Sequence, residues 1–196
     1  TEWYLHDDLT VSGATLQNSN PNGARFIFAK QGVQKLRFGP GNSMSAFPFE
    51  LRAGTILDLD TASISGNGSV KVDSGATLIT KHAEGLNGNV KSTGAIQLST
   101  KASYAFEGTA GQVTGTLLPD TVYGLVIKNA YGVALSRKLR LEGSLKLEDG
   151  KLMLGPQPLL HTSLGSASTS SCWAIHSARV REAAPRSTFP SRARRP

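Results

Sequence analysis

Two pairs of ionisable side chains stand two residues apart, Asp58 with Asp60 and His82 with Glu84. On a strand, positions i and i+2 share one face. Each pair could therefore converge on a metal ion or divide general-acid and general-base work between its members. Calcium asks for six or more oxygen ligands, and neither pair has further ligands at loop spacing. Both pairs are better read as solvated strand and turn residues. Asp7-Asp8, Asp73 and Asp149-Gly150 stand beside strand ends. Turn formation accounts for them, because aspartate accepts hydrogen bonds from nearby backbone N–H groups. No residue is assigned to catalysis, to a metal or to a cofactor, and no enzymatic activity is expected.

Other side chains invite a binding role. Tyr4, Tyr104, Tyr123 and Tyr131, with Phe47 and Phe49, could stack on sugar rings. Aromatic rings also fill cores and staple the ends of stacked turns, and that is the expectation here. Thr55, Thr77, Thr93 and Thr100 raise the idea of a flat threonine ladder, but no Thr-x-Thr repeat recurs at a fixed position. Ser170, Ser171 and His176 lie near Cys172 in a segment with no scaffold to position a nucleophile and its base. A polysaccharide lyase or hydrolase would need several acids, with lysine or arginine, converging on one face. In sequence the acids are scattered.

What would position any of these residues is a repeated unit. Ser-Gly-Ala-Thr-Leu occurs at Ser12–Leu16 and again at Ser74–Leu78. Gly54-Thr55-Ile56-Leu57 and Gly94-Ala95-Ile96-Gln97-Leu98 repeat the same step from glycine to small to apolar. Gly54, Gly75 and Gly94 are spaced 21 and 19 residues apart. A period near 20 with short apolar runs predicts one strand-turn unit laid on the next. Alternation is clearest over Leu139–Leu147 and Lys151–Leu154. It predicts that Leu141, Leu145, Leu147, Leu152 and Leu154 point inward and close the last coils. Gly, Asn and Asp cluster between the runs, as at Gly66-Asn67-Gly68, Asn87-Gly88-Asn89 and Asp149-Gly150. No amphipathic helix of ordinary length is visible, since Ala53-Gly54 and Glu84-Gly85 interrupt the nearest candidates. A jelly roll or sandwich would also give short strands. The recurrence of similar local sequence favours an all-β, right-handed parallel β-helix over residues 1–160, with about eight coils.

Composition sharpens the boundary. The chain has 196 residues and a net charge of +7. Residues 1–160 hold 15 Lys+Arg and 13 Asp+Glu, whereas residues 161–196 hold six Arg and one acid, Glu182. The basic character therefore belongs to the C-terminal segment. The body lacks the basic stripe with interleaved aromatics that nucleic-acid binding needs. Cys172 is the only cysteine, so the body has no disulfide framework and no cysteine-based zinc site. No apolar run approaches the ~20 residues of a membrane helix. Strand-like sequence begins at once (Trp3, Tyr4, Leu5), as expected of a fragment or a processed form. After Leu160 the alternation stops, and Ser163–Ser171 is low in complexity. Residues 161–196 are expected to be a disordered tail, rich in Ser, Arg and Pro, and either a native basic extension or a frameshifted or artificial end.

The stretch from Gly75 to Gly155 resembles β-solenoid segments of large bacterial surface and secreted proteins, many of which are exported by type IX secretion. The resemblance rests on Ser74–Gly88, on Tyr104–Gly115, on Leu118–Val122, and on Leu125–Asn129, Gly132–Ser136 and Leu145–Gly150. It implies a coil-by-coil strand scaffold without a catalytic role. It further implies a stalk or adhesive passenger segment, located extracellularly or at the cell surface. Its expected partners are surface glycans or neighbouring domains of the same polypeptide. The alternative is a carbohydrate-binding or polysaccharide-active β-helix. Acids and aromatics clustered in one groove would favour that alternative, and a uniform polar surface would favour the stalk.

Overall fold

The computed structural model describes residues 1–20, 23–40 and 42–161. The chain climbs as a parallel β-solenoid of about seven turns. The first turn is β1 (Glu2–Leu5), β2 (Leu9–Val11) and β3 (Thr15–Gln17). The second is β4 (Arg25–Phe28), β5 (Gly32–Phe38) and β6 (Ser43–Ser45), and the third is β7 (Phe49–Leu51), β8 (Thr55–Asp58) and β9 (Ile64–Gly66). The fourth holds β10 (Val70–Val72), β11 (Thr77–Thr80), the short helix α1 (Leu86–Asn89) and β12 (Val90–Ser92). The fifth holds β13 (Ile96–Leu98), β14 (Ser103–Phe106) and β15 (Gln112–Val113). Two long strands, β16 (Thr121–Ala134) and β17 (Leu139–Met153), then run nearly a full turn each, and β18 (Leu159–His161) follows.

These strands stack into three sheets. One runs β1-β4-β7-β10-β13 and another β3-β6-β9-β12. The largest runs β2-β5-β8-β11-β14-β16-β17-β18, with β15 also pairing with β16. Every strand pairing among the described residues is parallel. A two-sheet sandwich would have paired its strands antiparallel, so that alternative is excluded.

Register turns the short apolar runs into columns along the axis. Trp3, Phe26, Phe49, Val70 and Ile96 form one, and Leu5, Phe28, Leu51, Val72 and Leu98 form the next on the same face. Leu16, Met44, Ile64 and Val90 form the column of the third sheet. Aromatic neighbours make tilted contacts, with ring centres 5.0 Å apart for Phe28 and Phe49. Alternate residues point outward, so each short strand supplies one or two core residues and the turn above and below supplies the rest of their burial.

The repeat is less regular than the glycine spacing suggests. Phe26, Phe49, Val70 and Ile96 are spaced 23, 21 and 26 residues apart. The long step accommodates α1. Gly32, Gly54 and Gly75 do stack at one corner, where the N–H of each donates to the next carbonyl along the axis. Above Gly75 the next carbonyl belongs to Lys101, whereas Gly94 sits at a different corner against Asn67 and Gly68. The two pentapeptides are likewise inequivalent, one leading into β3 and the other into β11. The glycine series therefore mixes corners, and the count is about seven turns.

An inward-facing amide device has no sequence counterpart in the apolar pattern. Gln34 Nε2 donates to the carbonyls of Leu5 and Asp7. Asn89 Nδ2 donates to Asp60 and Ala62, and Gln112 Nε2 to Thr80 and His82. Each amide reaches two carbonyls, two residues apart, at the corner of the turn below. The carbonyls of Leu5, Asp60, Thr80 and His82 also accept a backbone N–H, so the amide is their second donor, whereas for Asp7 and Ala62 it is the donor at the corner. Thr80 Oγ1 in turn donates to Asn89 Oδ1, and Asn129 Nδ2 donates to Gln112 Oε1 and Ala110 O.

The last turns depart from expectation. Leu141 is fully buried, but Leu145 and Leu147 are exposed, and Leu152 and Leu154 are only half-buried. β18 covers only Leu139, Arg140 and Leu141 of β17. The inward direction of Leu145 and Leu147 is as expected, stacked on Leu125 and Ile127, but they do not close the coil. The segment 162–196, including the tail assignment and Ser170, Ser171, Cys172 and His176, lies outside the described residues.

Candidate functional site

The densest polar constellation lies on the outer face of the first sheet. Its outward column runs Tyr4, Ile27, Glu50, Lys71 and Gln97. Alternation alone sends Glu50 outward, yet it is only 3% exposed because three cations close over it. Lys71 Nζ lies 2.7 Å and Arg52 Nη1 3.2 Å from Glu50 Oε1, and Arg25 Nη1 lies 3.5 Å from Oε2. Lys71 and Arg52 also reach Asp73 at 2.9 and 3.7 Å, and Arg25 reaches Glu2 at 3.8 Å. The hydrogen bonds from Lys71 to Glu50 and then Asp73 hold its ammonium pKa above the ordinary value, against a smaller opposing effect of burial. Three acids and three cations thus balance. Beside them lies a depression of about 170 Å³, lined by Arg25, Phe49, Glu50, Ser69, Val70, Lys71, Ala95 and Gln97.

A second constellation forms on the large sheet around Asp58, which is 6% exposed. Its Oδ2 accepts from Arg37 Nη2 at 2.6 Å and from Lys81 Nζ at 3.1 Å, and its Oδ1 accepts from the N–H of Asp60 at 2.8 Å. Burial pushes the Asp58 carboxyl up, but the hydrogen bonds from Arg37, Asp60 and Lys81, with the Lys81 charge, outweigh it and leave the pKa below 3.8. Arg37 Nε also lies 3.4 Å from Asp60 Oδ2. Asp60 adopts φ 53°, a left-handed turn conformation, rather than extending the strand. The Asp58–Asp60 pair is therefore brought together, but around an arginine.

His82 and Glu84 do not share a strand face. They lie in the turn before α1, where the N–H of Glu84 donates to His82 Nδ1. The imidazole lies over Gly88, where an added Cβ would fall 1.8 Å from Nδ1. Asp7-Asp8 and Asp73 occupy turns as expected: the N–H of Asp8 bonds Asp7 Oδ1, and the N–H of Ala76 bonds the carbonyl of Asp73. Asp149-Gly150 instead lies within β17, at a register irregularity, with Gly150 at φ 75° against Asn129.

The aromatics divide. Tyr104, Phe47 and Phe49 are core, and Tyr104 donates its hydroxyl proton to the carbonyl of Ser99 at 2.8 Å. Burial raises the pKa of that phenol. Tyr4, Tyr123 and Tyr131 are exposed, but Tyr4 lies on the first sheet and the other two on β16. They make no common sugar-stacking strip. The threonines form no ladder either: Thr55 is buried and pairs with Gly32, while Thr77 pairs with Ile56.

Among the described residues, no group of three or more His, Cys, Asp or Glu is placed to hold a metal ion. Among the described residues, no helix is long and apolar enough to cross a membrane. Comparison with protein-family models, with curated proteins and with solved structures gives no match. Sequence reasoning named Asp58, Asp60 and Asp73 but missed the Glu50 network. The signal was there: Arg25, Glu50, Arg52, Lys71 and Asp73 recur at nearly one turn's spacing.

Proposed function

We propose that this solenoid is a non-enzymatic structural segment, a stalk or adhesive passenger in a larger polypeptide exported to the surface of a bacterial cell. The observation that supports it is the continuity of the inward columns through successive parallel turns. About seven turns at the ~4.8 Å strand spacing make a rod of roughly 34 Å. Its mechanism is geometric: length is added by whole turns, and paired backbone groups leave few sites for a protease. The acids that lie deepest on its outer faces, Glu50 and Asp58, are each neutralised by cations. Asp58, held below the usual carboxylate range by Arg37, Asp60 and Lys81, is not poised as a proton donor. Export, including the type IX route, rests on the resemblance over Gly75–Gly155.

The test has two arms. Intact, unpermeabilised source cells are expected to bind an antibody raised against this segment, because it is displayed outside. Incubation of the purified chain with a polysaccharide panel is expected to release no new chain ends. Turnover that disappears in Lys71→Ala would overturn the structural reading. It would favour the polysaccharide-active alternative, which the convergence of Arg25, Glu50, Arg52, Lys71 and Asp73 beside the depression on the first sheet supports.

A further inference from the structure

One corner, between the third and fourth turns, carries a chemical signature that neither the core nor the ion-pair networks use. The chain has eight asparagines, and Asn67 alone is followed two residues on by serine or threonine. Asn67-Gly68-Ser69 is the acceptor pattern for an N-linked glycan, with a residue other than proline between the asparagine and the hydroxyl. Such a triplet also arises by chance. It counts only where the asparagine stands exposed on a turn with its amide free.

Asn67 meets both conditions. It is the exposed residue of the bend between β9 and β10, and its side chain makes no hydrogen bond among the described residues. Other asparagines are spent on structure: Asn87 holds the Thr116 hydroxyl and the Leu117 N–H, and Asn89 and Asn129 are buried in the corner clamps. The backbone around Asn67 is pinned. The Gly66 carbonyl accepts the Thr93 N–H at 2.8 Å, the Gly68 carbonyl accepts the Ser92 hydroxyl, and the Ser69 carbonyl accepts the Phe49 N–H at 2.8 Å. Packing accounts for both glycines: Gly66 has φ 80°, and a Cβ added at Gly68 would run into the Phe47 carbonyl. Nothing comparable accounts for Asn67. Its φ is not positive and its side chain closes no turn, the two ordinary reasons for asparagine at a corner. The half-buried Ser69 likewise has no hydrogen bond to its hydroxyl among the described residues.

We infer that Asn67 is the attachment site of an N-linked glycan. The co-reactant is a sugar activated as its diphosphate ester, brought by a transferase of the source cell. Asn67 Nδ2 attacks the anomeric carbon of that sugar and a C–N bond forms. The bond from the same carbon to the phosphate oxygen breaks, and the diphosphate leaves with its electron pair. Nδ2 gives up one proton. The Ser69 hydroxyl, two residues on, is the second group of the acceptor. The corner has room for the product, because the turn below packs on this bend through Ala46 and the Phe47 backbone, and the turn above through Thr93 and Gly94. A glycan here is bulky and solubilising, and covers the corner between the third sheet and the first. Attachment does not depend on the chain being a stalk or on bacterial display; it requires only that Asn67 meet the transferase.

Peptide mass spectrometry on the full chain purified from source cells tests it. Trypsin cuts after Arg52 and Lys71 and frees residues 53–71, whose only asparagine is Asn67. That peptide is expected to carry the added mass of one or more sugar residues, placed on Asn67 by fragmentation that leaves glycosidic bonds intact. Asn67→Gln and Ser69→Ala, each expressed in the source cells, are expected to lose the added mass entirely. Ser69→Thr is expected to keep it, which separates loss of the acceptor hydroxyl from any fault in folding. An unmodified wild-type peptide overturns the inference. Sugar found on Thr55, Thr61, Ser63, Ser65 or Ser69 in place of Asn67 overturns it too. Modification that persists in Ser69→Ala also overturns it, because the acceptor pattern would then not be what selects Asn67. Antibody binding to intact cells together with an unmodified peptide would remove the glycan and leave the displayed segment standing.

Discussion

Leu125 and Leu145 are the same residue in the same inward column, one ladder step apart. Leu125 has no exposed surface, and Leu145 keeps 36% of its own. Nothing in either side chain accounts for the difference. Leu125 lies between Tyr104 below and Leu145 above, whereas Leu145 has only Leu125. In a solenoid, direction is set by alternation along the strand, but burial is conferred by the neighbouring turn. The middle turns and the last turns are therefore built from one pattern and stabilised to different degrees.

The comparison breaks most sharply at Leu78, which sits in this column between Leu57 and Tyr104 and is fully buried. Leu78→Asp would place a carboxylate in an apolar column with turns on both sides. The expected loss is about 4 kcal/mol or more, enough to abolish a cooperative urea transition in a marginal domain. An unchanged transition midpoint would show that the column is not a packed core.

The inner corner gives a second, smaller separation. Asn89 is fully buried and donates to Asp60 O and Ala62 O, at 3.2 and 2.6 Å. Asn89→Leu keeps the volume, takes the amide donor from the Ala62 carbonyl, leaves the Asp60 carbonyl with only the Lys81 N–H, and leaves the Thr80 hydroxyl only its longer bond to the Gly85 carbonyl. A cost of about 2–3 kcal/mol is expected by urea denaturation. A near-zero cost would mean that water replaces the amide and that the clamp is incidental.

These two sites also mark what sequence could and could not reveal. Leu78 was legible, because period-2 alternation beside a turn signal names an inward strand residue. Parallel stacking was legible from the repeated glycine-to-apolar step, even though Gly94 belongs to another corner than Gly54 and Gly75. Asn89 was not legible. Asn87-Gly88-Asn89 has the composition of an exposed turn, and only the fold places Asn89 over the corner carbonyls of the turn below. The Glu50 network was half legible: its charges recur at about one turn's spacing, but its members come from four successive turns, and their convergence requires the register. Leu145 was half legible, since its direction follows from alternation while its exposure depends on how far β18 extends.

Protonation probes the outer face of a middle turn. The folded pKa of Asp58 lies below 3.8. A group depressed on folding stabilises the folded state fully above its unfolded pKa, and that share is lost as pH falls through the folded value. Wild type should therefore lose more of its urea midpoint between pH 5 and pH 3 than Asp58→Asn does. Equal losses would show that Arg37 and Lys81 do not hold the carboxylate in solution.

The smallest effect is expected at Leu145, where alternation alone argues for a large one. Leu145→Asp introduces the same charge as Leu78→Asp into the same column. Here a third of the side chain already meets water, and no strand lies beyond it in the described ladder. The carboxylate can keep its hydration by turning toward that open edge, so the penalty of burying an unpaired charge does not arise. What remains is the lost contact with Leu125, about 1 kcal/mol. Hydrogen exchange should show the loss confined to β16 and β17, because each turn touches only its neighbours. Protection over β4 to β11 should be unchanged. A cost equal to that of Leu78→Asp, or protection lost evenly along the chain, would mean that the last turns share the closed packing of the middle, and the distinction between the two regions would fall.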